Sequence, residues 1–319
     1  MHNIDIGLDS IDRIYHIADV HVRNVKRHKE YELVFKRLYS YIRKTKTPNS
    51  VIYVAGDIVH AKTDMSPELV AVVSDFFRRL ADLAPTLVIT GNHDCNLNNS
   101  YRLDALSPIV KALNHQRLHY LKDNGIYCIS GVHFNVMSVY NKPTEYITAD
   151  QIDGDYKIAL HHGSVHNAST DAGFTLSNTH VTTNIFKGHD LVLLGDIHKP
   201  QYLNEDKTIA YAGSLIQQNH GEALGHGIMV WDLASKKCEF VEIPNDYGYY
   251  TFYVENGKIT NPSDKIPIRP RLRFKVKDTD SATLKKLIAD IKSKYRVQDI
   301  SLQKINALNT TDAAKKINF

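Results

Sequence analysis

Five short apolar runs, each ending in Asp, His or Asn, constrain this chain more than any other feature. Ile14 to Ala18 leads into Asp19-Val20-His21, and Val51 to Ala55 leads into Gly56-Asp57-Ile58-Val59-His60. Leu87 to Thr90 leads into Gly91-Asn92-His93-Asp94, Lys157 to Leu160 into His161-His162-Gly163, and Leu191 to Leu194 into Gly195-Asp196-Ile197-His198. Runs this short, apolar at nearly every position, read as strands buried on both faces. Helical patterns lie between them. Tyr31, Val34, Phe35, Leu38 and Ile42 share one helix face, and Ser66-Pro67 is a helix start followed by Leu69, Val72, Val73, Phe76 and Leu80. Strand and helix in alternation predict an α/β fold. In open α/β sheets, ligand-binding groups gather beyond the carboxyl ends of the strands. The five strand ends are therefore expected to converge on one site. Their mixed nitrogen and oxygen donors suit manganese or a similar borderline ion, and they are too many for a single ion.

The 319 residues, 43% of them hydrophobic, suffice for one large domain and a smaller one. No apolar run approaches the roughly 18 residues of a membrane span, and the polar, acidic stretch Met1 to Ser10 does not read as a secretory signal. Cys95, Cys128 and Cys238 are too few and too scattered for a disulfide framework or a zinc knuckle, so a reducing, intracellular compartment is expected, cytoplasmic or nuclear.

Charge is segregated. From Gly257 to Phe319 there are 15 Lys and Arg against 6 Asp and Glu, whereas the preceding 256 residues hold 24 basic and 29 acidic side chains. A basic module joined to a differently charged body suggests a polyanionic partner. The turn-rich stretch from Glu242 to Tyr250 marks the boundary, giving an expected large domain over 1–245 and a basic αβ cap over 250–319. In the cap, Arg271-Leu272-Arg273-Phe274-Lys275-Val276-Lys277 alternates strictly, which on a strand puts Arg271, Arg273, Lys275 and Lys277 on one face. A helix with Leu284, Leu287, Ile288, Ile291 and Tyr295 and a strand from Ile300 to Ile305 follow.

The ordered set D-x-H, G-D, G-N-H-D, H and G-x-H resembles the calcineurin-like metallophosphoesterases, which implies a sandwich of sheets flanked by helices. Within them the chain is similar to the SbcD-type nucleases, relatives of the eukaryotic meiotic recombination nuclease of double-strand-break repair. The similarity rests on His60 three residues after Asp57, on Leu160-His161-His162-Gly163, and on Tyr211-Ala212-Gly213-Ser214-Leu215 and Gly221-Glu222. It spans about residues 14 to 232; the cap matches only by position and size. The resemblance implies that Asp19, His21 and His198 hold one ion, that Asn92, His161 and Asp196 hold a second, and that Asp57 bridges them. His161 and His162 point to opposite faces of a strand, and the family register selects His161 over the alternative His162. Two manganese ions, or magnesium in their place, would activate water and polarise the phosphate. His93 is implied as general acid, with Asp94 beside it to orient its ring, and His60 as a residue that positions the phosphate or supports His93.

The chain departs from the nuclease pattern at Asp196, where the family carries histidine. A third carboxylate favours harder ions. The resemblance further implies DNA as substrate, exonuclease and endonuclease activity, a homodimer, and an SbcC-type coiled-coil ATPase as partner. Two other readings compete: a calcineurin-like phosphatase or cyclic-nucleotide phosphodiesterase, and a DNA-binding scaffold without activity, for which Asp196 is the support. Arg23, Lys26, Arg27 and Lys29 suit either a DNA backbone or a solvated helix start. The broad apolar faces of the helix after Ser66 and of a helix near Leu103, Leu106, Ile109, Val110 and Leu113 suit either packing on the sheet or a four-helix dimer contact.

Overall fold

The computed structural model describes residues 1–177 and 179–305. The chain divides into two compact units, one made of Met1–Ile216 with Gly221–Pro244, the other of Gln217–His220 with Asn245–Phe319. The end of the expected cap, 306–319, lies outside the described residues.

In the first unit the strands are β1 (His2–Asn3), β2 (Arg13–Ile17), β3 (Ser50–Ala55), β4 (Thr86–Ile89), β5 (Leu118–Tyr120), β6 (Gly125–Ile129) and β7 (Val132–Met137). They continue with β8 (Lys157–His162), β9 (Leu191–Gly195), β10 (Gln201–Tyr202), β11 (Ile209–Tyr211), β12 (Gly227–Asp232) and β13 (Lys237–Glu242). The helices of this unit are α1 (His28–Thr45), α2 (Pro67–Leu83) and α3 (Ser107–Leu113). One sheet runs β13-β12-β2-β3-β4-β5, with β2 to β5 parallel; the other runs β1-β6-β7-β8-β9-β11-β10, with β7, β8, β9 and β11 parallel.

Side-chain alternation assigns the layers. Val51, Tyr53 and Ala55 of β3 join Ile158 and Leu160 of β8 and Leu191 and Leu193 of β9 in a core between the two sheets. Ile52 and Val54 turn the other way, against Tyr31, Val34 and Leu38 of α1 and Val73, Phe76 and Leu80 of α2. On the far side of the second sheet, Ala159, Val192 and Leu194 pack with Val165, Val181 and Phe186. Both faces of the central strands are thus covered, which is why their runs are apolar throughout. The result is the expected sandwich of sheets flanked by helices.

Helix α2 begins as its sequence predicts, with Ser66 Oγ accepting from the Leu69 backbone N–H at 3.3 Å and Pro67 in the first turn. Phe76 lies 4.3 Å from Phe35 between ring centroids. Leu69, Val73, Phe76, Phe77, Leu80 and Leu83 are all buried by packing within the chain, while Val72 of the same face is half-buried. Arg27 caps α1 and is itself buried against Glu30, with Nε to Oε2 at 2.9 Å. That pair commits Arg27 to the helix start.

The second unit is a four-stranded sheet of order β15-β14-β16-β17, comprising β14 (Tyr247–Glu255), β15 (Lys258–Ile259), β16 (Arg269–Lys277) and β17 (Asp299–Lys304). Helix α4 (Ser281–Lys294) connects β16 to the parallel β17, and its Leu284, Leu287 and Ile291 pack with Leu272, Phe274 and Val276. Among the described residues no helix is long and apolar enough to cross a membrane.

Candidate metal centre

The carboxyl ends of β2, β3, β4, β8 and β9 bring their polar residues together in the first unit. The turns that do this are tight. Asp19, His21, Asp57 and Asp196 all have positive φ, at 49°, 49°, 52° and 101°. Non-glycine residues rarely adopt this conformation, and such strain concentrates at functional sites. Gly91 makes the close approach feasible: a Cβ there would sit 2.1 Å from Asp57 Oδ1 and 2.2 Å from the Asp57 nitrogen.

Side chains converge accordingly. The Nε2 atoms of His21 and His198 are 3.0 Å apart, and His21 Nε2 is 3.5 Å from Asp57 Oδ2. On the other side of Asp57, His162 Nε2 lies 3.3 Å from Asp57 Oδ1, 3.3 Å from Asn92 Oδ1 and 3.9 Å from Asp196 Oδ1. Asp19, His21 and His198 therefore form one cluster of potential ligand atoms, and Asp19, Asp57 and His162 form another. Asp57 stands between, one oxygen toward each. His60 and His93 flank His21, with ring centroids 5.7 and 4.8 Å away.

Two expectations are corrected. His161 is not in this cluster; His162 is. Strand parity is the reason. Ile158, Leu160 and His162 share the face between the two sheets, at whose end the cluster lies, whereas Ala159 and His161 face outward. His161 is buried against Tyr146 and Phe186 with Nδ1 3.2 Å from the Met137 carbonyl oxygen, and burial pushes its pKa down to about 4. Asp94 is also corrected. Its carboxylate does not orient the His93 ring but accepts three backbone N–H groups, from Ile58 and Val59 at 2.9 and 3.0 Å and from Gly91 at 2.9 Å. It latches the turn after β3 to the turn after β4. The His93 ring is held instead by the His60 carbonyl oxygen, 2.6 Å from its Nδ1.

Two supports went unrecognised as contacts in the sequence. Glu222 Oε1 takes His198 Nδ1 at 2.8 Å, a carboxylate–histidine pair of the type that fixes tautomer and ring orientation around metals. Its signal was the Gly221-Glu222 element, which carries no indication of its partner. Ser164 Oγ donates to Asp196 Oδ2 at 2.7 Å. His162 Nδ1 is likewise anchored, 2.6 Å from the Ala55 carbonyl oxygen. Arg23 Nη1 is 3.2 Å from His60 Nε2, so this residue, unlike Arg27, adjoins the cluster.

Electrostatics in the cluster are those of crowded charges in a dry place. Burial pushes Asp19 up to about 7, against the pull of His162 and His198. Asp57 also feels burial, but the charge and hydrogen bond of His162, with His21 and His93, outweigh it and hold Asp57 below the usual carboxylate range. His198 is raised to about 9: burial lowers it, and Glu222 and Asp19 more than compensate. Burial and the Arg23 guanidinium hold His60 below its ordinary value. A set of buried and half-buried Asp carboxylates, an Asn amide oxygen and facing imidazole nitrogens fits divalent cations of mixed oxygen and nitrogen preference. The two Nε2 atoms that face each other at 3.0 Å suit lone pairs directed at a common cation.

In the second unit, β16 places Arg271, Arg273, Lys275 and Lys277 opposite Tyr249, Thr251, Tyr253 and Glu255 of β14 in parallel register. Arg271 lies over the Tyr249 ring at 5.2 Å, Lys275 over Tyr253 at 5.3 Å, and Lys277 pairs with Glu255 at 2.6 Å. The alternation read from the sequence is present, with Arg271 and Lys275 against tyrosine rings and Lys277 against a carboxylate.

Comparison with other proteins agrees with this geometry. The profile of the calcineurin-like phosphoesterases matches residues 12–200. A protein of Acanthamoeba polyphaga mimivirus, "Uncharacterized protein R555", is 45% identical over 309 residues, covering 93% of this chain. The chain spans only 23% of that relative's length. Among solved structures, a 5′-nucleotidase precursor from Thermus thermophilus aligns over 73% of this chain and 54% of its own, with a TM-score of 0.35 and 10% identity. The profile covers more than half of the chain and includes every strand end of the cluster, so the protein belongs to the calcineurin-like phosphoesterases, a family of metal-dependent phosphoester hydrolases.

Proposed function

We propose that this chain is a dimanganese DNA nuclease that hydrolyses phosphodiesters in double-strand-break repair or recombination, as a homodimer partnered by an SbcC-type coiled-coil ATPase. The observation that carries the reading is the histidine pair beside the metal cluster. His60 follows Asp57 at the nuclease spacing, and its carbonyl oxygen holds His93 Nδ1 at 2.6 Å. That bond leaves Nε2 as the nitrogen that moves a proton. The cationic face of β16 is the expected DNA contact, through Arg271, Arg273, Lys275 and Lys277.

In this reading Asp19, His21 and His198 hold one ion, Asn92, His162 and Asp196 hold the other, and Asp57 serves both. Divalent ions held there would supply Lewis acidity toward a phosphate oxygen and toward water at neutral pH. The residues do the rest. His93 gives its proton to the departing oxygen, and the His60 carbonyl keeps its ring in one tautomer. Arg23, whose Nη1 donates to His60 Nε2 at 3.2 Å, brings a cation to the phosphate, and the His60 ring positions that guanidinium. Glu222 holds the His198 ring against rotation.

The test is cleavage of linear duplex DNA with manganese or magnesium, run beside bis-p-nitrophenyl phosphate. His93→Ala is expected to keep both ions and lose DNA cleavage by about 10²–10⁴-fold. Hydrolysis of the small ester with intact DNA would favour the phosphatase or cyclic-nucleotide phosphodiesterase reading. Inertness toward both, with DNA still bound, would favour the scaffold.

A further inference from the structure

Asp196 stands where the nuclease pattern has histidine, and the difference creates a geometric problem. An imidazole whose one nitrogen is anchored has only the other to offer. A carboxylate has two equivalent oxygens and turns about χ2 between them, so a ligating aspartate needs one oxygen held. Here Ser164 Oγ donates to Asp196 Oδ2 at 2.7 Å, while Oδ1 points toward the cluster, 3.9 Å from His162 Nε2.

Ser164 is itself held from both sides. Tyr211, fully buried, donates its hydroxyl to the Gly163 carbonyl oxygen at 2.7 Å and accepts the Val165 N–H at 2.9 Å, pinning the residues before and after Ser164. The Gly163 N–H adds a bond to the Gly195 carbonyl oxygen at 3.1 Å, tying this loop to the turn that carries Asp196. On the Asp196 side, the backbone N–H lies 3.1 Å from both oxygens of Asp19, and φ is 101°. Both ends of the Ser164–Asp196 bond are thus fixed in place before any ion arrives.

We infer that Ser164 is the positioning residue that lets an aspartate replace the histidine ligand at position 196, and that Tyr211 holds Ser164 for this task. The inference rests on Asp196 being a ligand. It gives the Tyr211-Ala212-Gly213-Ser214 element a role, because the Tyr211 hydroxyl reaches 48 residues back along the chain to Gly163.

Calorimetric titration of the full, chelator-stripped chain with manganese tests it without reference to turnover. Wild type is expected to take two ions. Ser164→Ala should weaken one of them by about 10–100-fold, the usual effect of removing a residue that orients a metal ligand, and leave the other unchanged. In an Asp196→His background there is no carboxylate to hold, so adding Ser164→Ala should change neither affinity by more than about 2-fold. Ser164→Ala that binds both ions as tightly as wild type would overturn the inference. An equal loss in both backgrounds would do so too, since it would mark a general role in the loop. Asp196→Ala serves as the separate check on the ligand reading: if it binds two ions normally, Asp196 is no ligand and the inference falls with that reading, whereas loss of one ion in Asp196→Ala beside unchanged binding in Ser164→Ala overturns the role of Ser164 alone.

Discussion

The choice between adjacent histidines can be decided by heat. Consider His162→Asn and His161→Leu, each melted in chelator and again with manganese at about 100 times its dissociation constant. An ion that binds only the native state at that concentration stabilises it by about 2.7 kcal/mol per site. The unit that carries the cluster has roughly 240 residues, a size at which about 1 kcal/mol corresponds to 2–4 °C in Tm. Each occupied site should therefore raise Tm by about 5–11 °C. Wild type and His161→Leu should show the rise from two sites, and His162→Asn the rise from one. The comparison is of shifts, so whatever each substitution does to the apo protein cancels. His162→Asn will change apo stability, because His162 neutralises the buried Asp57. His161→Leu should change it less, as its ring lies among Tyr146, Phe186 and Met137. A full shift in His162→Asn together with a halved one in His161→Leu would refute the parity argument.

Three further outcomes are expected. Glu222→Gln should weaken one ion by about 10–100-fold in calorimetry, because an amide holds His198 Nδ1 less firmly than a carboxylate does. Stability should fall with acid through His16, whose pKa burial lowers to about 3. The folded form binds the proton less readily than the unfolded chain, so stability is complete above about pH 6.5 and declines toward pH 3, by at most about 1.4 kcal/mol per pH unit. Urea unfolding of chelated wild type and His16→Gln between pH 7 and 4.5 should show a shallower decline in the variant; equal slopes would remove His16 as the cause. Reversal of Arg271, Arg273 and Lys275 to Glu should weaken binding to all duplexes alike, lowering the salt-dependence slope by about 0.9 per lost phosphate contact. Unchanged anisotropy titrations at several salt concentrations would make that face an ordinary solvated one.

Much of the architecture was legible because it is locally encoded. The apolar runs at 14–18, 51–55 and 191–194 coincide with β2, β3 and β9 to within a residue or two. Ser66-Pro67 marks the start of α2 through a hydrogen bond and a fixed φ, both properties of neighbouring residues. Alternation in β16 specified which face of the second unit packs on α4, since a one-residue slip would have buried the cations. Strand ends dense in Asp, His and Asn announced a metal-type cluster in the same local way.

What the sequence determined by itself, then, was the five strands that carry the cluster and the polar residues delivered at their ends. Tertiary structure decided which of those residues meet. Lys157 to His162 is buried at nearly every position, so hydropathy there carries no parity, and His161 and His162 look equivalent until the opposing sheet is in place. Only the packing of Ile158 and Leu160 toward β3 turns His162 into the cluster and His161 away from it. Glu222 on His198, Ser164 on Asp196, and Asp94 on the turn after β3 are separated from their partners by 24, 32 and 36 residues. No periodicity links such pairs. They exist because two sheets, each formed by local rules, close on one another and leave the ends of five strands in one place.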